Sequence, residues 1–294
     1  MRIATTRAEI RRQLASHRDR CRIALTPTMG CLHEGHLSLI RKAKSLADIV
    51  VVSIYVNPLQ FGPNEDLDRY PRTFEADAAL CEQEGVDFIF HPASLYPAGG
   101  PKVTLKAEGL SDCLCGSSRP GHFDGVVTAV NILFNIIQPN LAVFGEKDWQ
   151  QLSIIRRMVQ DLQMPVDIVS SETVREDDGL AMSSRNRYLS KQDRRKAVQL
   201  SLALSDMQNL AANGESNASV LLASALARLA GSGVRPDYLE IRQANSLKVK
   251  RKLNESRNIR AFVAATVGKT RLIDNMPLRI EHTDAAEGKT EMRT

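Results

Sequence analysis

Two histidines three residues apart, His33 and His36, stand in the stretch Pro27-Thr28-Met29-Gly30-Cys31-Leu32-His33-Glu34-Gly35-His36. This stretch joins an apolar run, Ile23 to Leu25, to an amphipathic one beginning near Leu37. Strand, turn and helix start in succession put backbone N–H groups and both imidazoles where the helix dipole favours negative charge, the geometry for holding phosphates. Gly30 and Gly35 suit that geometry: without a Cβ each can take positive φ and let an anion approach the backbone, while Pro27 fixes the chain's exit from the strand. On a helical turn the two histidines share a face. The alternatives are a zinc pair or two surface imidazoles. Zinc needs three or four ligands, and neither Cys31 nor Glu34 completes a recognised spacing with the pair.

Two further stretches suit phosphate. Gly145-Glu146-Lys147-Asp148-Trp149-Gln150-Gln151 follows the apolar Leu141-Ala142-Val143-Phe144. Its glycine permits close approach, Lys147 offers a mobile point charge, and Asp148 can orient a ribose or a magnesium shell, although an exposed Lys147–Asp148 ion pair is the simpler reading by itself. Beyond Val174, Met182-Ser183-Ser184-Arg185 sets two hydroxyls beside a guanidinium, a compact anion clamp. Each loop is expected after a strand of one parallel sheet, so three unrelated coincidences become improbable together. Gln60, in Asn57-Pro58-Leu59-Gln60-Phe61, carries an amide that donates and accepts at once, which suits a substrate with hydroxyl and carboxylate, and Gln151 is its possible partner. Asp77 either complements the dipole of its own helix or reaches a nucleotide-bound Mg²⁺. Arg119 and His122 either fix a loop or touch ligand.

The elements that must position these groups alternate. A helix is expected over 7–18, a strand over 22–26, a helix over 37–47 and a strand over 49–56. The continuous β-branched run in 49–56 reads as a strand buried on both faces, hence parallel and central, with helices on both sides of the sheet. Thr73 caps a helix that Gly85 ends, and a strand follows over 86–90. Residues 97–124, rich in Gly, Pro and Ser, form a long excursion suited to a lid or specificity loop. A strongly buried helix is expected over 125–138, a strand over 141–144, a helix to about 163 and a strand over 166–170. Thereafter Ser190-Lys191-Gln192-Asp193 opens a helix as a capping box. Another helix over 219–230 and strands over 238–241, 260–267 and 278–280 give an α+β unit with an antiparallel sheet. The expected division is 1–186, 187–282 and a disordered polar tail over 283–294.

The 294 residues, 43% apolar and 25% charged, suit a globular chain of two domains. The net charge of +5 comes without a lysine-rich tail or a basic stripe interleaved with aromatics, so it favours anionic small molecules over nucleic acid. No apolar run is long enough for a membrane span, and Met1-Arg2-Ile3-Ala4-Thr5 lacks a signal core, so a cytoplasmic protein is expected. The five cysteines, an odd number, scattered apart from Cys113-Leu114-Cys115, fit reduced thiols.

Taken together, residues 27–36, Asn57 to Phe61, Arg69-Tyr70-Pro71-Arg72-Thr73, Arg119-Pro120-Gly121-His122-Phe123, Phe144 to Asp148 and Met182 to Arg185 resemble the family of pantoate–β-alanine ligases. The resemblance runs along nearly the whole chain. It implies a Rossmann-like α/β domain, a parallel sheet with helices on both faces, followed by a smaller α+β lid-like domain, in a homodimer. It implies that ATP and pantoate form pantoyl adenylate and pyrophosphate, that β-alanine then displaces AMP to give pantothenate, and that Mg²⁺ is required. Carried over by motif, Met29, Gly30, Cys31, Leu32, His33, Glu34, Gly35 and His36 bind ATP, as do Gly145, Glu146, Lys147, Asp148, Val174, Met182, Ser183, Ser184 and Arg185. His36, the presumed proton donor, with His33, Lys147 and Arg185 would carry the chemistry, Gln60 and Gln151 would bind substrate, and Asp77 would touch Mg²⁺. Cys31 and Trp149 depart from the family pattern. A nucleotidyltransferase shares the first motif, but the paired glutamines and the middle loop argue against it.

Overall fold

The computed structural model describes residues 1–63, 65–253 and 258–280. The expected tail over 283–294 lies outside them. In chain order the first unit contains β1 (Arg2–Ala4), α1 (Arg7–Ala15), β2 (Ile23–Thr28), α2 (Glu34–Lys44), β3 (Ile49–Ile54), α3 (Phe74–Gln83), β4 (Phe88–Phe90), α4 (Leu114–Ser118), α5 (His122–Ile137), β5 (Leu141–Gly145), α6 (Trp149–Asp161) and β6 (Asp167–Ser171). Its strands form one sheet in the order β1-β4-β3-β2-β5-β6, every pairing parallel. β3 is buried at all six positions, as its β-branched run requires of a central strand.

Alternate residues of each strand feed different cores. Leu25, Val51, Phe90 and Phe144 pack with α1, α5 and α6 on one face, and Ala24, Val50, Val52 and Val143 pack with α2 and α3 on the other. From β2 the chain first winds toward β3 and β4, then resumes on β2's opposite side with β5. The direction therefore reverses between β2 and β5, and their C-terminal ends diverge around a crevice of the kind that accepts ligands in open α/β sheets.

The second unit packs α7 (Lys191–Ala212) and α8 (Ala218–Gly231) on an antiparallel sheet of β7 (Pro236–Gln243), β8 (Ile259–Val267) and β9 (Thr270–Leu278). Ser190 caps α7 by accepting the Asp193 N–H at 3.1 Å, as its motif predicts. One face of the small sheet meets these helices. The other joins the first unit's core through Tyr238, Phe262 and Ile273.

Several expectations differ from the observed elements. β1 was not foreseen; it is three residues long, with Ala4 alone buried. The last strand runs over Thr270–Leu278 rather than 278–280, since buried Asp274 and Asn275 interrupt its apolar pattern. The excursion over 97–124 contains α4 and the first turn of α5.

Candidate active site

The three predicted loops meet at the crevice. After β2, Gly30 turns the chain at φ +79°, and a Cβ there would stand 2.9 Å from the Asp77 carboxylate. Asp77 is 2% exposed and accepts the N–H groups of Cys31 at 2.9 Å and Leu32 at 2.7 Å. The Thr73 hydroxyl donates to it at 3.2 Å. This corrects the expected magnesium contact: both carboxylate oxygens are engaged in shaping the loop, and the side chain is closed off from the crevice.

α2 begins at Glu34, three residues earlier than expected, so both histidines belong to its cap. His33 Nδ1 accepts the Gly35 N–H at 3.2 Å, and His36 Nδ1 accepts the His33 N–H at 3.3 Å. An imidazole accepting at Nδ1 while neutral carries its proton on Nε2, so each ring keeps a donor free for a ligand. Burial is the main force lowering their pKa values, to about 4 for His33, where Lys147 adds to it, and about 3 for His36, where His33 and Lys147 add to it. The ring centroids are 4.1 Å apart. Gly35 is not in the left-handed region that the sequence reading allowed it; it leaves room for the His33 ring, whose Cε1 would lie 2.9 Å from an added Cβ.

The loop after β5 is a 3-10 turn, Glu146–Asp148, leading into α6. Lys147 and Asp148 pair loosely at 3.6 Å. The third loop is a hairpin closed by Met182 N–H to Val174 O at 3.0 Å. The Ser184 hydroxyl donates to Cys31 O at 3.3 Å, tying this loop to the first. Ser183 accepts the Arg185 N–H at 3.3 Å. Arg185 grips Asp66 with two bonds at 2.8 and 2.9 Å.

Together these loops line a cleft of about 260 Å³. Met29, His33, Gly35, His36, Gln60 and Gln151 border it, as do Gly145, Lys147, Asp148, Val174, Met182, Ser183, Ser184 and Arg185. Six predicted positions do not. Gly30, Cys31 and Leu32 form the loop's inner side, Glu34 pairs with Arg41, Glu146 pairs with Arg260 at 2.6 Å, and Asp77 has been described. The cleft shares Arg119, Lys147, Asp148, Ser183 and Arg185 with a second chamber of about 520 Å³ that reaches the C-terminal strands.

Gln60 is held by Asn57, a neighbour to which the sequence reading gave no role of its own. Asn57, 2% exposed, donates from Nδ2 to Gln60 Oε1 at 3.0 Å and to Gly125 O at 3.1 Å. Its Oδ1 accepts from Tyr96 O–H at 2.6 Å and Leu59 N–H at 3.2 Å. The Gln60 carbonyl is thus engaged, and its NH₂ lies 3.0 Å from Sδ of Met29, which lines the same cleft. Gly125 is required here, because a Cβ would lie 2.2 Å from Leu59 O. Arg119 and His122 both bind the Gln60 carbonyl oxygen of the main chain, at 3.2 and 2.7 Å, and Arg119 also pairs with Glu65. These contacts fix the loop, and both side chains also line the cleft. Sequence reasoning also missed the apolar wall of the cleft, formed by Leu95, Val126, Ala129, Val130 and Leu133. The signal was present on α5, whose apolar positions were read as core alone.

Comparison with known proteins places the chain beside one group of relatives. A pantothenate synthetase of Pseudomonas putida is 50% identical over 267 residues, covering 90% of this chain and 92% of that protein. One from a Nocardioides species is 51% identical over 288 residues, covering 95% and 85%. The crystal structure of pantothenate synthetase from Thermus thermophilus superposes with a TM-score of 0.90 at 44% identity, over 95% of this chain and 100% of that one. Pantoate-beta-alanine ligase from Francisella tularensis, described as complexed with beta-gamma ATP and beta-alanine, superposes with a TM-score of 0.78 at 35% identity, over 94% and 97%. The family model for pantoate-beta-alanine ligase matches residues 2–277, from the first strand of the parallel sheet to the last of the antiparallel one, and the chain belongs to that family.

Proposed function

We propose that this chain condenses pantoate with β-alanine at the expense of ATP, through pantoyl adenylate, giving pantothenate, AMP and pyrophosphate. The observation that carries the reading is the meeting of two neutral imidazoles, Lys147 and the amide of Gln60 around one cleft at the β2/β5 divergence. In the first step a pantoate carboxylate oxygen bonds to the α-phosphorus and pyrophosphate leaves. The nucleophile comes with the substrate, so the chain's own work is electrostatic and positional. His33 and His36 donate from Nε2 to phosphate oxygens, and Lys147, Ser183, Ser184 and Arg185 offset the charge that develops there. Gln60 donates its NH₂ to pantoate, with Gln151 opposite, while Val126 and Val130 shelter the apolar part of the substrate. Gly145 and Val174 border the nucleotide. In the second step the β-alanine amine bonds to the acyl carbon and AMP leaves.

Among the described residues the carboxylates lining the cleft are Asp148 and Glu172, and neither has an arginine partner. They fit Mg²⁺ carried by a nucleotide, which takes one or two protein carboxylates beside phosphate oxygens. When bound, the ion would neutralise phosphate charge. A boundary near residue 187, a homodimer and a cytoplasmic location complete the reading; sedimentation equilibrium tests the dimer. No helix among the described residues is long and apolar enough to cross a membrane.

The deciding experiment resolves AMP, ADP and pyrophosphate from ATP and pantoate, with and without β-alanine. Expected are AMP and pantothenate when both substrates are present, and pyrophosphate limited to about one equivalent per site with pantoate alone. Failure of folded, ATP-binding protein to turn over pantoate overturns the reading in favour of a nucleotidyltransferase.

A further inference from the structure

Arg260 on β8 and Asn275 on β9 are polar, yet only 7% and 4% exposed. Buried polar side chains are retained where their bonds are made, so where those bonds go is informative. Asn275 Nδ2 donates to two successive carbonyls of the second loop, Glu146 O and Lys147 O, each at 2.9 Å. Its Oδ1 accepts from Arg260. Arg260 in turn donates to the Glu146 carboxylate at 2.6 Å and lies 3.5 Å above the centre of the Trp149 ring. The Trp149 indole N–H donates to Ala244 O at 2.8 Å, in the segment just after β7. The turn that carries Lys147 is therefore bound on its main chain, on Glu146 and on Trp149 by residues from the other unit.

The neighbouring residue of β9 does the same for the third loop. Asp274, 4% exposed, receives two bonds at 2.7 and 3.0 Å from Arg175, which follows Val174 at the root of the hairpin bearing Ser183 to Arg185. No β9 residue lines the 260 Å³ cleft. A strand that supplies nothing to that cleft grips two of the three loops that border it.

We propose that Arg260, Asp274 and Asn275 are positioning residues, through which the C-terminal sheet sets Lys147 and the Ser183–Arg185 loop at their mutual distance for attack on the α-phosphorus. The proposal rests on the reading of Lys147 as a phosphate ligand. It gives Trp149 a reason as well: the ring offers Arg260 a face and its indole N–H offers Ala244 a donor, of which phenylalanine would supply only the first.

Single-turnover pyrophosphate release from ATP and pantoate tests it, with β-alanine attack on the preformed adenylate followed separately. Asn275→Ala should slow pyrophosphate release about tenfold, a displacement of well under 1 Å being enough for that, and leave pantoate affinity and the β-alanine step near native. Asn275→Asp, alike in shape but lacking the N–H donors, should not restore the rate. In a Lys147→Ala background Asn275→Ala should add little, since it acts through the same group. Where Asn275→Ala does not fold, Trp149→Phe reads the clamp from the turn's side, losing the bond to Ala244 and slowing the same step by a smaller factor. A native rate in Asn275→Ala or in Asn275→Asp, or an equal slowing with and without Lys147, overturns the clamp. A native rate in Lys147→Ala removes instead the reading beneath it, and the proposal with it.

Discussion

An imidazole that accepts a backbone N–H at Nδ1 cannot offer that nitrogen to a ligand, and at the head of α2 both histidines are so engaged. With pKa values of about 4 and 3, lowered chiefly by burial, His33 and His36 are neutral donors throughout the physiological range. We therefore read the expected role of His36 as hydrogen-bond donation from a neutral ring. Adenylate formation should accordingly show no limb near pH 6.5, the ordinary value for an imidazole, in a rate profile measured by rapid quench. An imidazolium acting as acid would produce one. The stability sign follows from the same shifts. Between the ordinary value and the lowered ones the unfolded chain binds more protons, so these sites withdraw stability as pH falls below about 6.5 and add no pH dependence above it. His36→Ala should reduce single-turnover adenylate formation by about two orders of magnitude with little change in ATP affinity, and an unchanged rate would contradict this role. At this scale the sequence was most legible where a side chain carries its own chemistry. His33, Lys147 and Gln60 could be picked out directly, whereas Asn57 acts by orienting another residue, and its partners Tyr96 and Gly125 are distant in the chain.

The loop between β2 and α2 shows how elements share a residue. Asp77 lies in the first turn of α3, where an acidic side chain is ordinary, and that local explanation hid its long-range role. Its partners Cys31 and Leu32 are 46 and 45 residues away. Asp77→Asn keeps the shape but turns one acceptor into a donor facing an N–H. It should cost about 1–3 kcal/mol in urea unfolding, while the Mg²⁺ titration of pyrophosphate release keeps its native midpoint. A shifted midpoint in a protein of native stability would restore the ion contact. Elements with a clear period were legible, including β3, α5 and the capped start of α7. β9 was not, because Asp274 and Asn275 are buried by partners, Arg175 and Arg260, that no local pattern announces. The start of α2 was placed late because histidine is an uncommon N-cap and the amphipathic signal begins only at Leu37.

Over the whole molecule, the alternation of strands and helices was enough for a doubly wound sheet and a separate antiparallel unit, but not for how one grips the other. That contact is made of isolated polar residues rather than a periodic face, and periodicity is what a sequence displays most plainly. The positive net charge suggested anionic ligands, yet the cations around the cleft are not idle. Arg185 holds Asp66, Arg119 holds Glu65, and both carboxylates come from the segment before α3. Asp66 and Glu65 are held below the usual carboxylate range by those guanidinium groups, against the opposing effect of burial, and so stay charged. The segment's two carboxylates therefore occupy guanidinium groups that border the cleft. A sulfate or phosphate ion that displaces Asp66 trades one anion for another at Arg185 and gains little, whereas a polyphosphate that also meets Lys147 and two imidazole donors gains on several fronts. Asp66→Ala should make inorganic sulfate a stronger inhibitor by about fivefold to tenfold, the scale of one charge-assisted pair, and unchanged sulfate inhibition would show that Asp66 exerts no hold on Arg185. The consequence expected is a selection on valency: a small anion at Arg185 only replaces an acid the chain carries itself, whereas a ligand of higher charge gains beyond that exchange.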